Sequence, residues 1–133
     1  MKRSFTALTL LASLAALPAC RADETSGGYG GGERTWELQE IDGQAFSARA
    51  TLTFPETGRI AGQAPCNRYF GEMTAVYPEF DASKVAATRM ACPELEAEQR
   101  FLSTLSEMSL SDVSDEMLIL SNEAGRKMVF KAR

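Results

Sequence analysis

The sequence contains no histidine, which excludes Ser-His-Asp and Cys-His catalysis, histidine-ligated zinc or haem, and histidine-based pH switches. Basic residues are few as well, since 14 Lys and Arg face 18 Asp and Glu for a net charge of −4. A nucleic-acid protein is expected to carry a basic surface, so we expect no nucleic-acid partner. Apolar residues still make up 44% of the 133 positions. That proportion and length are typical of one ordinary globular domain.

Long hydrophobic runs are scarce, and the clearest one lies at the N-terminus. It extends from Ser4 to Ala19 after the positively charged start Met1-Lys2-Arg3. The run is shorter than the about 20 residues that a membrane-spanning helix needs. A charged start followed by a short apolar stretch is typical of a secretory signal peptide, which we predict over residues 1–19.

The end of this run, Leu17-Pro18-Ala19-Cys20, resembles the lipobox of bacterial lipoproteins. The resemblance implies that Cys20 becomes the lipidated first residue of the mature chain. It also implies a periplasm-facing protein whose partner is the membrane that holds its lipid. Arg21 after the cysteine, in place of Asp, implies the outer membrane. The alternative is an ordinary cysteine near the end of a signal peptide.

Glycine is concentrated just after this site, in Gly27-Gly28-Tyr29-Gly30-Gly31-Gly32. Such a composition is typical of a flexible linker. We therefore predict a lipidated cysteine and glycine-rich tether over residues 20–33 and a folded domain over residues 34–133.

Cysteine is also rare, and with Cys20 assigned to lipid only Cys66 and Cys92 remain. In an oxidising compartment, two thiols in one small domain usually form a disulfide. Two buried free thiols and a redox pair are the alternatives, although a redox pair favours C-x-x-C spacing. Two cysteines without histidine do not make a zinc site, so we expect no metal and no cofactor.

One stretch has the periodicity of a helix. Leu95, Leu102, Leu105 and Met108 recur at helical spacing, and Pro93 suits a first helical position. We predict a helix over residues 93–108. Glutamates 94, 96 and 98 fall in its first turns, where the helix dipole favours negative charge, and we assign them to a solvated face.

The remaining segments alternate like strands, with turns at Asp42-Gly43 and Pro55–Gly58. We predict a β-rich α+β fold, a small antiparallel curled sheet or barrel of about seven or eight short strands covered by the helix. The predicted strands are residues 35–41, 50–54, 59–62, 73–77, 84–88, 109–113, 117–120 and 128–130.

Several of these segments together resemble the META domain family, which includes HslJ-like heat-shock-associated proteins. The resemblance covers about residues 35–131. It implies a compact β-rich barrel with a helix and no established enzymatic activity. Family members occur in bacterial envelope proteins, often lipoproteins, and some are linked to heat shock, antibiotic tolerance or motility. The most specific matching pieces are Cys66-Asn67-Arg68-Tyr69-Phe70-Gly71 and Thr88-Arg89-Met90-Ala91-Cys92.

These two motifs supply the candidate site residues, Asn67, Arg68, Gly71, Thr88 and Arg89. Asn67 suits a turn, and Gly71 suits a close backbone approach. If the cysteines pair, the motifs lie side by side as a structural corner. The alternative is a binding site in which Asn67, Arg68 and Arg89 offer hydrogen-bond donors to an anionic or polar ligand.

The predicted function is a non-enzymatic cell-envelope lipoprotein with a stress-related or envelope-maintenance role. The alternative is a binding module, such as an inhibitor of an envelope-targeting enzyme or a small-ligand carrier. An enzyme would have to use Asp112, Asp115 and Glu116, or Tyr69 and Arg89. We expect none, because acidic residues at a predicted hairpin turn need no special explanation.

Overall fold

Short alternating segments dominate the fold, as the sequence pattern predicts. The computed structural model describes residues 22–133 and, before them, only Ala15 and Leu17. Cys20, and the predicted signal peptide apart from those two residues, lie outside this part of the chain. No helix in the described part is long and apolar enough to cross a membrane.

The larger sheet is antiparallel and has six strands in the described chain. Its strands are β1 Trp36–Ile41, β2 Gln44–Ala45, β3 Thr51–Leu52, β7 Leu110–Val113, β8 Met117–Ser121 and β9 Lys127–Ala132. Their order is β2-β1-β9-β8-β7, with β3 also pairing with β1. Asp42 and Gly43, both with positive φ, form the predicted turn between the first two strands. The last three strands form the predicted antiparallel meander.

The smaller sheet has three antiparallel strands, which are β4 Arg59–Gln63, β5 Arg68–Glu72 and β6 Val85–Ala87. They lie in the order β4-β5-β6. A single bridge between Thr53 and Ala61 connects this sheet to the end of β3. The β-rich α+β prediction is therefore confirmed, with nine strands in residues 22–133. The strands form two sheets that do not close into a barrel.

The helix α1 covers Leu95–Glu107, inside the predicted range. Its apolar side buries Phe101 and Leu105 against the sheets. The space enclosed between the sheets and the helix is filled by large side chains. Those with almost no exposed surface include Trp36, Tyr69, Phe101 and Phe130.

Two predicted segments differ from the structure. Residues 73–77 form no strand, although Met73 is buried and Ala75 packs on the core. Backbone bonds tie this segment instead to separate loops, from Met73 N to Gly58 O (2.9 Å) and from Tyr77 N to Glu24 O (2.8 Å). The strand of this region is β5, which begins inside the motif that is predicted to form a structural corner.

The glycine-rich segment also differs from a flexible tether. Gly27–Gly31 forms an irregular helical turn, and Gly31 is buried. Ser26 is buried too and hydrogen-bonds to Ser111 on β7 (2.8 Å between hydroxyl oxygens), while Trp36 Nε1 donates to Gly31 O (3.0 Å). Tyr29 stacks on Tyr77 with ring centroids 4.5 Å apart. These contacts dock the segment on the larger sheet, where composition alone indicated a free chain.

Candidate functional site

A disulfide between Cys66 and Cys92 joins the two family-like motifs. Cys66 lies between β4 and β5, and Cys92 lies between β6 and α1. Their Cα atoms are 5.9 Å apart across a sequence separation of 26 residues. The bond therefore fastens the end of the smaller sheet to the start of the helix.

Asn67 uses its whole side chain to hold this corner together, with only 3% of its surface exposed. Its Oδ1 accepts from Met90 N (2.6 Å) and from Thr88 Oγ1 (3.1 Å). Its Nδ2 donates to Met90 O (3.1 Å) and to Glu98 Oε2 (2.6 Å). Since an amide has two donor hydrogens and an acceptor oxygen with two lone pairs, no capacity remains for a ligand.

Glu98 supplies the acceptor side of the same network from the helix. It is 4% exposed. Its Oε1 accepts from Cys66 N (3.0 Å) and Asn67 N (2.6 Å), while Oε2 accepts from the Asn67 amide. Glu94 and Glu96 are exposed, as the solvated-face prediction requires, but that prediction is wrong for Glu98. A buried carboxylate needs such partners, because leaving it without them is costly.

Thr88 and the Arg68 backbone extend the network into the sheet. Arg68 N donates to Thr88 Oγ1 (3.2 Å), and Thr88 N donates to Arg68 O (3.0 Å). Gly71 has a separate role further along β5, since a Cβ there would lie 2.5 Å from Lys84 O. The structure therefore brings Asn67, Arg68 and Thr88 together and uses Gly71 for close strand packing.

The Arg68 side chain, unlike its backbone, is exposed on the surface of the smaller sheet. We define the outer face by the outward residues of its three strands, which lie in cross-strand rows. Ala61, Phe70 and Ala86 form the middle row, and Phe70 keeps 51% of its surface exposed. Gln63 and Arg68 are paired in the row beside it. A groove of about 470 Å³ lies here, lined by Ala61, Gln63, Arg68, Phe70 and Thr88 among others.

The two arginines of the motifs keep their side chains in solvent. Arg68 and Arg89 are both exposed, and neither forms an ion pair with any residue that the structure describes. Met90, next to Arg89, is 66% exposed. Arg59 on β4 is opposite Glu72 on β5, at the far end of the face from Arg68.

The acidic residues that an enzyme would have to use do not line the groove. Asp112 is exposed on β7, and Asp115 and Glu116 are exposed in the turn before β8. Tyr69 is buried beneath the outer face, where its hydroxyl donates to Thr51 O (2.6 Å) and burial raises its pKa far above the ordinary value. Among the described residues, no group of three or more acidic or cysteine side chains is placed to hold a metal ion.

The chain matches the META domain over residues 32–133. It belongs to the META domain family. The match confirms the resemblance carried by the two motifs, and it includes the disulfide, the Asn67 network and the outer face. No protein of curated function matches the chain by sequence.

Solved structures of other proteins share this fold. One is an NMR structure of a protein from Burkholderia xenovorans, with a TM-score of 0.65 and 22% identity over 92% of this chain and 99% of that one. Another NMR structure has a TM-score of 0.57 and 27% identity over 74% and 87% of the two chains. A crystal structure of a DUF4847 family protein from Bacteroides vulgatus has a TM-score of 0.57 and 13% identity, covering 77% and 93%.

Sequence reasoning missed Glu98 as a member of the site. Its helical position explained an acidic residue without any contact, because the dipole at a helix N-terminus already favours glutamate. One signal was present: Glu98 lies one helical turn before Phe101 and Leu102, on the side that turns toward the core.

Proposed function

We propose that this META domain protein is a non-enzymatic lipoprotein of the cell envelope with a stress-related or envelope-maintenance role. The observation that carries the proposal is the disulfide-fastened corner, in which the polar motif residues stabilise the fold. A structural disulfide suits an oxidising compartment, and the lipobox-like Leu17–Cys20 supports export and anchoring. Arg21 favours the outer membrane.

Contacts made by residues 23 and 24 limit the distance between the folded domain and the proposed lipid anchor at Cys20. Glu24 O accepts a hydrogen bond from Tyr77 N (2.8 Å), and Asp23 Oδ2 accepts one from Thr57 Oγ1 (3.3 Å), so the folded body begins close to Cys20. Single acyl chains bind membranes only marginally, whereas a multiply acylated cysteine gives stable anchoring. In this proposal the lipid holds the body near the membrane surface.

The test is lipid labelling and fractionation of the full chain expressed in a Gram-negative host. Radiolabelled palmitate should mark the wild type, which should sediment with outer membranes. Cys20→Ser should carry no label and should leave the membrane fraction, while the control Thr74→Ser should behave like the wild type. A labelled Cys20→Ser protein, or a wild type that stays unprocessed in the cytosol, contradicts the anchor. A deletion strain indifferent to heat, membrane stress and envelope-active antibiotics contradicts the role.

A binding module is the second candidate, and the groove on the outer face favours it. The side-chain-filled interior favours binding at the surface over an enclosed carrier cavity. For an inhibitor of an envelope-targeting enzyme, the purified chain should slow lysozyme hydrolysis of cell walls. Phe70→Ala should relieve the inhibition, whereas Tyr29→Ala, at another exposed aromatic residue, should not. Equal effects of both substitutions contradict this function.

A further inference from the structure

The middle of the outer face is an aromatic surface that nothing in the described chain covers. Phe70 lies between Ala61 and Ala86, whose methyl groups leave its ring raised above its neighbours. Phe70 keeps half of its surface exposed, at 51%. Exposing a large apolar side chain on an open sheet forgoes burial free energy. Here the exposed ring lines a groove together with polar side chains, which is the combination found in small-molecule binding sites.

Charged and amide groups lie directly beside this ring. Gln63 and Arg68 form the neighbouring cross-strand pair, and both side chains are exposed. Arg68 presents a planar guanidinium that can hold a carboxylate through two parallel hydrogen bonds. Arg89 follows Thr88 in the sequence but does not line the groove. Arg68 is therefore the one charged side chain among the residues that line it, and its charge is positive, although the whole chain has a net charge of −4.

The groove is also preorganised. Arg68 and Thr88 are bonded to each other through backbone and hydroxyl groups, and Thr88 is bonded to the buried Asn67. The disulfide fastens the same corner to the helix. Rigid support lowers the entropy lost on binding, so a small exposed groove can still select a ligand.

We infer that this groove binds an acidic sugar, with the sugar ring stacked on Phe70 and its carboxylate held by Arg68. The Gln63 amide is placed to bond a hydroxyl or acetamido group. The envelope location rests on the proposed function, and in that location carboxylate-bearing amino sugars of the cell wall are the matching ligands.

Other ligand classes match the face less well. An anionic membrane would require several apolar side chains to insert, whereas the middle row presents one aromatic ring between two alanines. Inorganic phosphate would use Arg68 but leave Phe70 without a role. An acidic sugar uses the ring, the guanidinium and the amide together, in a groove of about 470 Å³.

The test is an NMR titration of the processed, isotope-labelled chain, purified from whichever fraction holds it, so that the result is independent of lipidation. N-acetylmuramic acid should shift the amide signals of residues 61–63, 68–70 and 88. N-acetylglucosamine, which lacks the carboxylate, should bind the same residues about tenfold more weakly. Arg68→Gln should remove the difference between the sugars, and Phe70→Ala should weaken both. Arg49→Gln, at another exposed arginine, should change neither.

Three results would overturn the inference. The first is equal affinity of the wild type for the two sugars. The second is a set of shifts that Arg68→Gln and Phe70→Ala leave unchanged. The third is preferential binding of inorganic phosphate or of phosphatidylglycerol vesicles, which assigns the face to a simple anion or to a membrane. None of these results bears on lipidation of Cys20, which the labelling experiment tests separately.

Discussion

At the scale of single residues, a buried carboxylate does most to define the corner. Glu98 accepts two backbone N–H groups from the Cys66–Asn67 loop and one side-chain N–H. These bonds join residues 31 or more positions apart in sequence, between the smaller sheet and the helix. Hydrogen bonds to a charged acceptor are stronger than neutral ones, so this single side chain couples two elements.

Replacing Glu98 by glutamine should therefore destabilise the protein. Glu98→Gln keeps the shape but turns one acceptor oxygen into a donor that faces another donor. We expect a loss of about 2–3 kcal/mol in the free energy of unfolding. Glu96→Gln, on the same helix but exposed, should change it by less than about 0.5 kcal/mol. Urea unfolding at pH 7 measures the free energy of unfolding of both variants. Equal losses would show that the hydrogen bonds of Glu98 do not stabilise the fold.

The site residues differ in how far sequence could predict them. Asn67 and Thr88 were identified from motif resemblance, and the structure places them in contact through Asn67 Oδ1. The sequence leaves open whether Asn67, with Arg68 and Arg89, donates hydrogen bonds to a ligand, and the structure assigns the Asn67 amide to the fold instead. Glu98 was missed because its partners come from a loop far away in sequence. The helix dipole and the long-range hydrogen bonds both favour glutamate at this position, so the residue type alone did not reveal the long-range bonds.

At the scale of elements, the same limit explains the strand that was misplaced. In β5, Tyr69 is buried and Phe70 is exposed, so aromatic residues on both faces mask the alternation. Residues 73–77 do alternate, but their backbone groups bond to scattered loops and not to a neighbouring strand. Side-chain periodicity reports which residues face the core. It does not report whether a strand lies alongside.

The docked glycine segment gives a prediction for an element that composition assigned to a linker. Gly31 N and Gly32 N donate to Ser26 O (3.1 Å) and Gly27 O (2.8 Å), so their amides should exchange slowly with deuterium. A Cβ on Gly31 would lie 2.7 Å from Ser26 O and 2.9 Å from the Phe54 ring. Gly31→Ala should therefore release the segment and speed that exchange.

Hydrogen exchange followed by NMR provides the measurement, with Glu33→Ala as an exposed control. Rapid exchange of the Gly31 and Gly32 amides in the wild type would show that the segment is a flexible tether. Faster exchange confined to Gly31→Ala would establish docking, since only that substitution introduces the clash.

An ion pair joins the turn between β1 and β2 to Arg126, the residue that precedes β9, and it gives the fold a defined pH response. Arg126 Nη2 donates to Asp42 Oδ2 (2.8 Å), and Lys127 N donates to Oδ1 (3.0 Å). These bonds, the Arg126 bond foremost, hold the pKa of Asp42 below its ordinary value. They therefore stabilise the fold above the unfolded-state pKa of about 4, and this contribution is lost as the pH falls through the folded-state pKa.

Asp42→Asn should remove that dependence while tolerating the positive φ of 51° at this turn. The urea midpoint of the variant should fall less steeply with acid below about pH 4 than that of the wild type. Urea titrations between neutral and acid pH compare the two slopes. Parallel curves would mean that the pair contributes nothing to acid stability.

At the scale of the whole molecule, two open sheets and one helix share a core. A strand bridge and a disulfide connect these parts. The bridge from Thr53 to Ala61 joins the sheets on one side. The disulfide joins the smaller sheet to the helix on the other. Because a domain of this size has only about 5–15 kcal/mol of stability in total, such a cross-link carries a large share of it.

Removing both sulfurs tests that share. The double substitution Cys66→Ser and Cys92→Ser should lower the free energy of unfolding by about 3 kcal/mol, because the disulfide closes a loop with a sequence separation of 26. The melting temperature should fall by about 10–20 °C. Reductant should lower the melting temperature of the wild type similarly and leave the double variant unchanged. A double variant as stable as the wild type would show that the Asn67–Glu98 network holds the corner alone, because it is the other cross-link between the same two elements.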